Sequence, residues 1–247
     1  MVTARRLVNL HSHPYFSTHA QADSKYNPAA ALAVTLSSQT GSGALALAEG
    51  LAARLQSATR PPAPAWRVFA RTLIDKVLEE QRLPARLAKF LPEDAHNAVD
   101  DVLDELFGFL PSSWSIAQKS ADTILKLAQA GRVIMVGWGA HVITKHLPNV
   151  FHVRLVGSLE QRVLRIQQRE GLTRKQALAF IQRQDRGRER YLHRYFSQHL
   201  SEPLLYHLTL NTDRFSHDDI ISLIAETALS RIQRPPSAAP GAAQPCP

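Results

Sequence analysis

Two glycine-bearing turns and a run of arginines carry most of the chemistry this sequence offers. The first turn, Gln39-Thr40-Gly41-Ser42-Gly43, stands between an apolar run at 31–36 and a segment in which Leu47, Leu51 and Leu55 recur every fourth residue. That order reads as strand, turn, helix. Glycines there let backbone N–H groups converge, and a helix start adds a favourable field, so the turn suits an oxyanion. A tight structural turn without a ligand would show the same pattern. The second turn, Gly137-Trp138-Gly139, follows the apolar run at 132–136. From Arg154 to Arg194 there are ten arginines and Lys175 against Glu160, Glu170, Asp185 and Glu189, so the stretch carries +7. Guanidinium groups favour bidentate phosphate contacts, with a solvated helix face as the bland alternative. On a helix starting at Ser158, Arg162, Arg165 and Arg169 share a face. On the next helix Asp185, Arg188 and Leu192 share one, with Arg183, Arg186 and Arg190 beside them. Asp185 could fix its arginine neighbours or help hold a metal. Arg174 and Arg194 are assigned to the solvated surface.

The elements that must position these groups follow from periodicity. Strands are expected at about 31–36, 66–69, 132–136, 151–156 and 205–210, and helices at 44–55, over Leu73, Val77 and Leu78 with Asp75 near the start, at 95–107, 115–129, after the 137–139 turn to about 147, at 158–169, 173–191 and from Ser216. Ser158 with Gln161 and Thr173 with Gln176 read as capping boxes. Short apolar strands alternating with longer amphipathic helices predict an α/β fold with a five-stranded parallel sheet covered by helices on both faces. Ligands of such sheets sit beyond the carboxyl ends of the strands, where both glycine turns belong. A loose arm is expected at 1–28, the folded domain at 29–233, a helical insert at about 83–130, an arginine-rich lid at about 170–200, and a Pro/Ala-rich tail at 234–247.

Against the phosphate-loop pattern Gly-x-x-x-x-Gly-Lys-Ser/Thr, Gly43 takes the second glycine. Ser38 then stands at the first glycine, Ala44 at the lysine and Leu45 at the metal-binding hydroxyl. The loop keeps its N–H groups and lacks its cation.

Composition bounds the rest. The chain has 247 residues, 45% apolar and 20% charged, with net charge +8. This is globular, and its basic balance favours anionic partners. Nucleic acid is disfavoured, because no aromatic ladder interleaves the arginines. Cys246 alone supports neither an internal disulfide nor a thiolate zinc site. No run of 18 apolar residues and no secretory leader is read, so the cytoplasm is the expected compartment, with no membrane partner and the oligomeric state left open.

In order and spacing these segments resemble the cytidylate kinase-like family over about 31–228. The carriers are Ala33-Val34-Thr35-Leu36-Ser37-Ser38-Gln39-Thr40-Gly41-Ser42-Gly43, Leu73-Ile74-Asp75-Lys76, Val133 to Ala140, the Arg162-Val163-Leu164-Arg165-Ile166 helix, Asp185-x-x-Arg188-x-x-Tyr191, and Tyr206 to Thr212. The resemblance implies a P-loop NTPase-type three-layer sandwich that binds ATP with Mg2+. It also implies a nucleotide site at Gln39, Thr40, Gly41, Ser42, Gly43, Asp75, Gly137, Trp138 and Gly139. Arg162, Arg165, Asp185, Arg186 and Arg188 would be the catalytic group. Departures from the family lie at the phosphate end: Ser38 for arginine, Ala44-Leu45-Ala46 for Gly-Arg-Glu, Trp138 for arginine, and His207 for an acid. Two functions are therefore open. One is phosphoryl transfer from ATP to a pyrimidine nucleoside monophosphate. The other is a catalytically impaired relative that binds nucleotide or another anion in a regulatory role.

Overall fold

The structure, a computed structural model, describes residues 32–59, 63–70 and 113–233. Asp75, the helices expected around 73–78 and at 95–107, the arm and the tail lie outside the described residues. Five parallel strands form one sheet in the order β2-β3-β1-β4-β5. They are β1 (Ala33–Ser38), β2 (Arg67–Phe69), β3 (Val133–Val136), β4 (Val150–Val156) and β5 (Leu208–Asn211). The described helices, numbered in chain order, are α1 (Ala44–Ser57), α2 (Ser113–Ala130), α3 (Ala140–Ile143), α4 (Leu159–Glu170), α5 (Arg174–Phe196) and α6 (His217–Gln233).

Strand alternation divides the core. Val34 and Leu36 pack with Leu47, Leu51 and Leu55 of α1 and with Ile220 and Ile224 of α6. Ala33, Val133 and Met135 face the other way, toward Ile124 of α2, Val142 of α3, and Leu192 and Phe196 of α5. A smaller cluster, Val163, Ile166, Ala177 and Ile181, joins α4 to α5. The central strand pairs with two neighbours, which places the loop at the carboxyl edge of the sheet with helices on both sides.

Several boundaries and one cap differ from expectation, and α3 ends at Ile143 where a helix to about 147 is expected. β1 runs on to Ser38, because Ser37 and Ser38 stay in register with Arg154 and Leu155 of β4. The last strand begins at Leu208, since Pro203–Leu205 form a single 3-10 turn whose Leu204 N–H is taken by the Glu202 side chain. α5 continues to Phe196, because Tyr191, Leu192, Tyr195 and Phe196 are all buried. Thr173 and Gln176 form the full capping box, whereas Ser158 only accepts from the Gln161 N–H. The Ser158 amide donates instead to Asp213 Oδ2 at 2.6 Å, which ties the start of α4 to the end of β5.

Candidate functional site

The loop leaves β1 at Gln39 and enters α1 at Gly43. Its shape is fixed from within: the Ser42 N–H and hydroxyl both donate to the Gln39 carbonyl, at 3.1 and 2.8 Å. Gln39 Oε1 accepts from the Gly157 N–H at 3.0 Å. Gly41 has φ +86°, and a Cβ there would lie 2.7 Å from the Arg162 carbonyl oxygen. Only glycine lets the loop rest against the backbone of α4. Gly43 is the N-cap of α1 and provides no side-chain cap. Leu47 N–H to the Gly43 carbonyl opens the helical ladder, so the amides of the first turn are not consumed by the helix itself. A 14-residue helix thus presents an uncapped N-terminus, which favours negative charge.

That end opens into a cleft of about 200 Å³, lined by both glycine turns, Ser37, His141, Arg169 and Arg188. Trp138 forms part of its wall, with its indole N–H donated to the Ala70 carbonyl at the end of β2.

One carboxylate organises the arginines. Asp185 Oδ1 accepts from the Thr40 N–H at 2.9 Å and the Thr40 hydroxyl at 2.7 Å. Its Oδ2 accepts from Arg162 Nη1 at 2.7 Å. Arg188 Nη1 donates to Thr40 Oγ1 at 2.8 Å and lies 3.6 Å from Asp185 Oδ1. Arg162 also donates to the Gly157 and Thr40 carbonyls. Arg165 donates to Thr212, Asp213 and the Gly41 carbonyl. Burial would raise the Asp213 carboxyl, but hydrogen bonds from Ser158 and the charge of Arg165 outweigh it and hold Asp213 below the usual carboxylate range.

The expected site residues therefore separate into three groups. Gln39, Thr40, Gly41, Ser42, Gly43, Gly137, Trp138, Gly139 and Arg188 line the cleft. Arg162, Arg165 and Asp185 sit behind it, bonded to the loop and to β5. Arg186 faces outward, its Nε donated to the Gln182 carbonyl one turn back. Arg183 and Arg190 are exposed as well.

Behind the cleft, on the α2 and α3 side of the sheet, lies a buried polar column that periodicity did not single out. Thr35 Oγ1 is 2.8 Å from His152 Nδ1, and the His152 N–H donates to His207 Nδ1 at 2.9 Å. Arg154 Nη1 donates to Ser37 Oγ at 2.8 Å. The Tyr206 hydroxyl is 3.2 Å from His141 Nε2 and donates to the Leu200 carbonyl at 3.1 Å. Burial pushes His141 and His152 down to about 3 and His207 down to about 4, so all three are neutral at pH 7. The signal was in the sequence: paired polar residues two apart, Thr35 with Ser37 and His152 with Arg154, interrupt otherwise apolar strands and so share one face.

A five-stranded parallel sheet in this order, with a glycine loop feeding an uncapped helix from the central strand, defines a P-loop NTPase-type sandwich. The chain belongs to the cytidylate kinase-like family, which matches residues 33–214. The fold is similar to that of the protein described as "Crystal structure of uncharacterized protein from Eubacterium ventriosum ATCC 27560", at 19% identity and TM-score 0.59 over 81% of this chain and 99% of that one. A gluconokinase from Sinorhizobium meliloti 1021 aligns at 13% identity and TM-score 0.46, covering 82% of this chain and 94% of its own. Shikimate kinase from Acinetobacter baumannii in complex with shikimate aligns at 14% and 0.44, covering 81% and 94%. The comparison with curated proteins gives no match.

Proposed function

We propose that the cleft binds a phosphorylated ligand of the nucleotide class, and that the chain transfers phosphoryl groups from ATP weakly or not at all. The observation that carries this is the uncapped N-terminus of α1, opening into a cleft that Arg188 also lines. The first-turn amides hold phosphate oxygens, and Arg188 and Arg169 add positive charge at the rim. Efficient transfer needs charge compensation that follows the moving phosphoryl group. Here Ala44 stands at the lysine position, and Arg162 and Arg165 are engaged by the protein. Leu45, 49% exposed, replaces the hydroxyl that would meet magnesium. Among the described residues no group of three or more His, Cys, Asp or Glu side chains is arranged for a metal ion. The residues present suit the phosphates of ATP and do not supply the usual magnesium ligand at position 45. A regulatory role through nucleotide occupancy fits this chemistry.

A second reading, transfer to a pyrimidine nucleoside monophosphate, is favoured by Arg188, whose guanidinium reaches the loop and whose side chain remains 25% exposed at the cleft. No described helix is long and apolar enough to cross a membrane. A cytoplasmic site of action is part of the proposal.

The test is purified protein with ATP, magnesium and a panel of nucleoside monophosphates, beside an ATP titration. Binding without turnover supports the first reading. Turnover abolished by Arg188→Ala supports the second. Absence of nucleotide binding overturns both.

A further inference from the structure

The cleft attracts anions, yet its described residues give no footing to the divalent cation that accompanies nucleotide phosphates. Its lining includes Arg169 and Arg188, and not one Asp or Glu among the described residues. The carboxylate that touches the loop, Asp185, is already engaged. Its Oδ1 accepts from the Thr40 amide and hydroxyl, and its Oδ2 accepts from Arg162 Nη1 at 2.7 Å. Arg188 Nη1 stands 3.6 Å from Oδ1. A metal ion at this carboxylate would displace those donors and meet the charge of both guanidinium groups.

The hydroxyls of the loop are committed as well. Ser42 donates its hydroxyl to the Gln39 carbonyl at 2.8 Å and is 1% exposed. The Thr40 hydroxyl donates to Asp185, and its oxygen accepts from Arg188 Nη1 at 2.8 Å, so a cation already faces it. At the position where α1 would offer a hydroxyl to magnesium stands Leu45, which lines the cleft and is 49% exposed. Magnesium keeps several of its waters and gives them up reluctantly. A leucine side chain beside the phosphates offers those waters no acceptor.

Chelation also changes the ligand itself. A magnesium ion on the phosphates cancels part of their negative charge, and the attraction from the uncapped α1 terminus and the rim arginines falls with it. With no protein oxygen placed to coordinate the ion, nothing offsets that loss.

We infer that the cleft selects metal-free nucleotide over the magnesium complex, so that free magnesium empties the site, with Leu45 as the residue that sets this preference. The inference rests on the reading of the cleft as a nucleotide site and adds which form of the ligand it takes and what regulates its occupancy.

The experiment titrates ATP into the full chain calorimetrically, once in EDTA and once in saturating magnesium, with sodium chloride matching the ionic strength. The expected result is an ATP affinity at least tenfold higher in EDTA, with bound ATP released when magnesium is added at fixed nucleotide. A ratio below tenfold, or tighter binding with magnesium, overturns the inference and leaves the nucleotide reading standing. Saturable binding of magnesium to the protein without ATP overturns it too. Leu45→Thr supplies the missing hydroxyl and should cut the ratio at least threefold, and a smaller cut overturns the role given to Leu45. If Leu45→Thr does not fold, Leu45→Ser replaces it, and the ratio in the parent protein decides the preference in either case. Absence of ATP binding in both buffers overturns the nucleotide reading as well.

Discussion

Asp185 holds Thr40 at two points, the amide at 2.9 Å and the hydroxyl at 2.7 Å, across 145 residues of sequence. Its second oxygen takes Arg162 of α4. A single carboxylate on α5 thus ties that helix to both the loop and α4.

Asp185→Ala removes both acceptors and leaves Arg162, whose side chain is 9% exposed, without its anion. Asp185 is itself 30% exposed, so solvent softens the effect, and the expected cost is about 2–3 kcal/mol. Asp185→Asn keeps an acceptor for Thr40 and costs about half as much. Urea unfolding of the two variants measures the order.

Gly41→Ala tests the seating of the loop on α4. The added Cβ meets the Arg162 carbonyl oxygen at 2.7 Å with φ at +86°. Left-handed backbone alone costs about 1–2 kcal/mol, and the clash shifts the loop. Gly171→Ala is the control, because its φ is +66° and nothing lies within 4 Å. Both lose stability in chemical denaturation. Only Gly41→Ala is expected to lose ATP binding as well, by tenfold or more.

Acid should weaken the fold through its buried imidazoles. Burial lowers His141 and His152 to about 3 from an ordinary 6.5, and His207 to about 4. The unfolded chain therefore takes up these protons first as pH falls. Stability from this source is complete above about pH 6.5 and is lost progressively as pH falls, toward about pH 4 for His207 and about pH 3 for His141 and His152. By pH 4.5, about two units below the ordinary value, His141 and His152 together account for a loss on the order of 5 kcal/mol, with His207, more exposed, adding less. Denaturation midpoints between pH 7.5 and 4.5 check the slope, and His152→Gln should flatten it.

Much of the architecture was legible because the strands read as short apolar runs and the helices carry an apolar stripe. The arginine face split as spacing required, with Asp185 and Arg188 toward the loop and Arg183, Arg186 and Arg190 outward. Two things were not legible. Spacing cannot tell a guanidinium that faces a ligand from one satisfied by backbone carbonyls, and Arg162 and Arg165 turned out to be the second kind. The polar column was hidden because Thr35, Ser37, His152 and Arg154 lie in strands read as apolar runs. Their pairing is set by the β1–β4 register, which no local pattern contains.

Ala44→Lys asks whether the missing cation is what limits the loop. Ala44 is the first residue of α1, partly exposed, and lines the cleft. Ala44 packs at the margin of the core and also borders the cleft, so a lysine can extend into the cleft, and its propensity cost to the helix is small. The ammonium would sit beside the phosphates held by the first-turn amides and should raise ATP affinity about tenfold, equivalent to about 1.4 kcal/mol. If charge is the sole deficit, turnover rises with it, by about a hundredfold on the scale of a principal electrostatic donor. If the Asp185 contact to Thr40 and the Leu45 side chain also limit the site, affinity rises and turnover does not. Initial-rate assays of Ala44→Lys, alone and with Leu45→Thr, separate the two. An ATP affinity unchanged by the lysine would show that the phosphates do not lie over the start of α1.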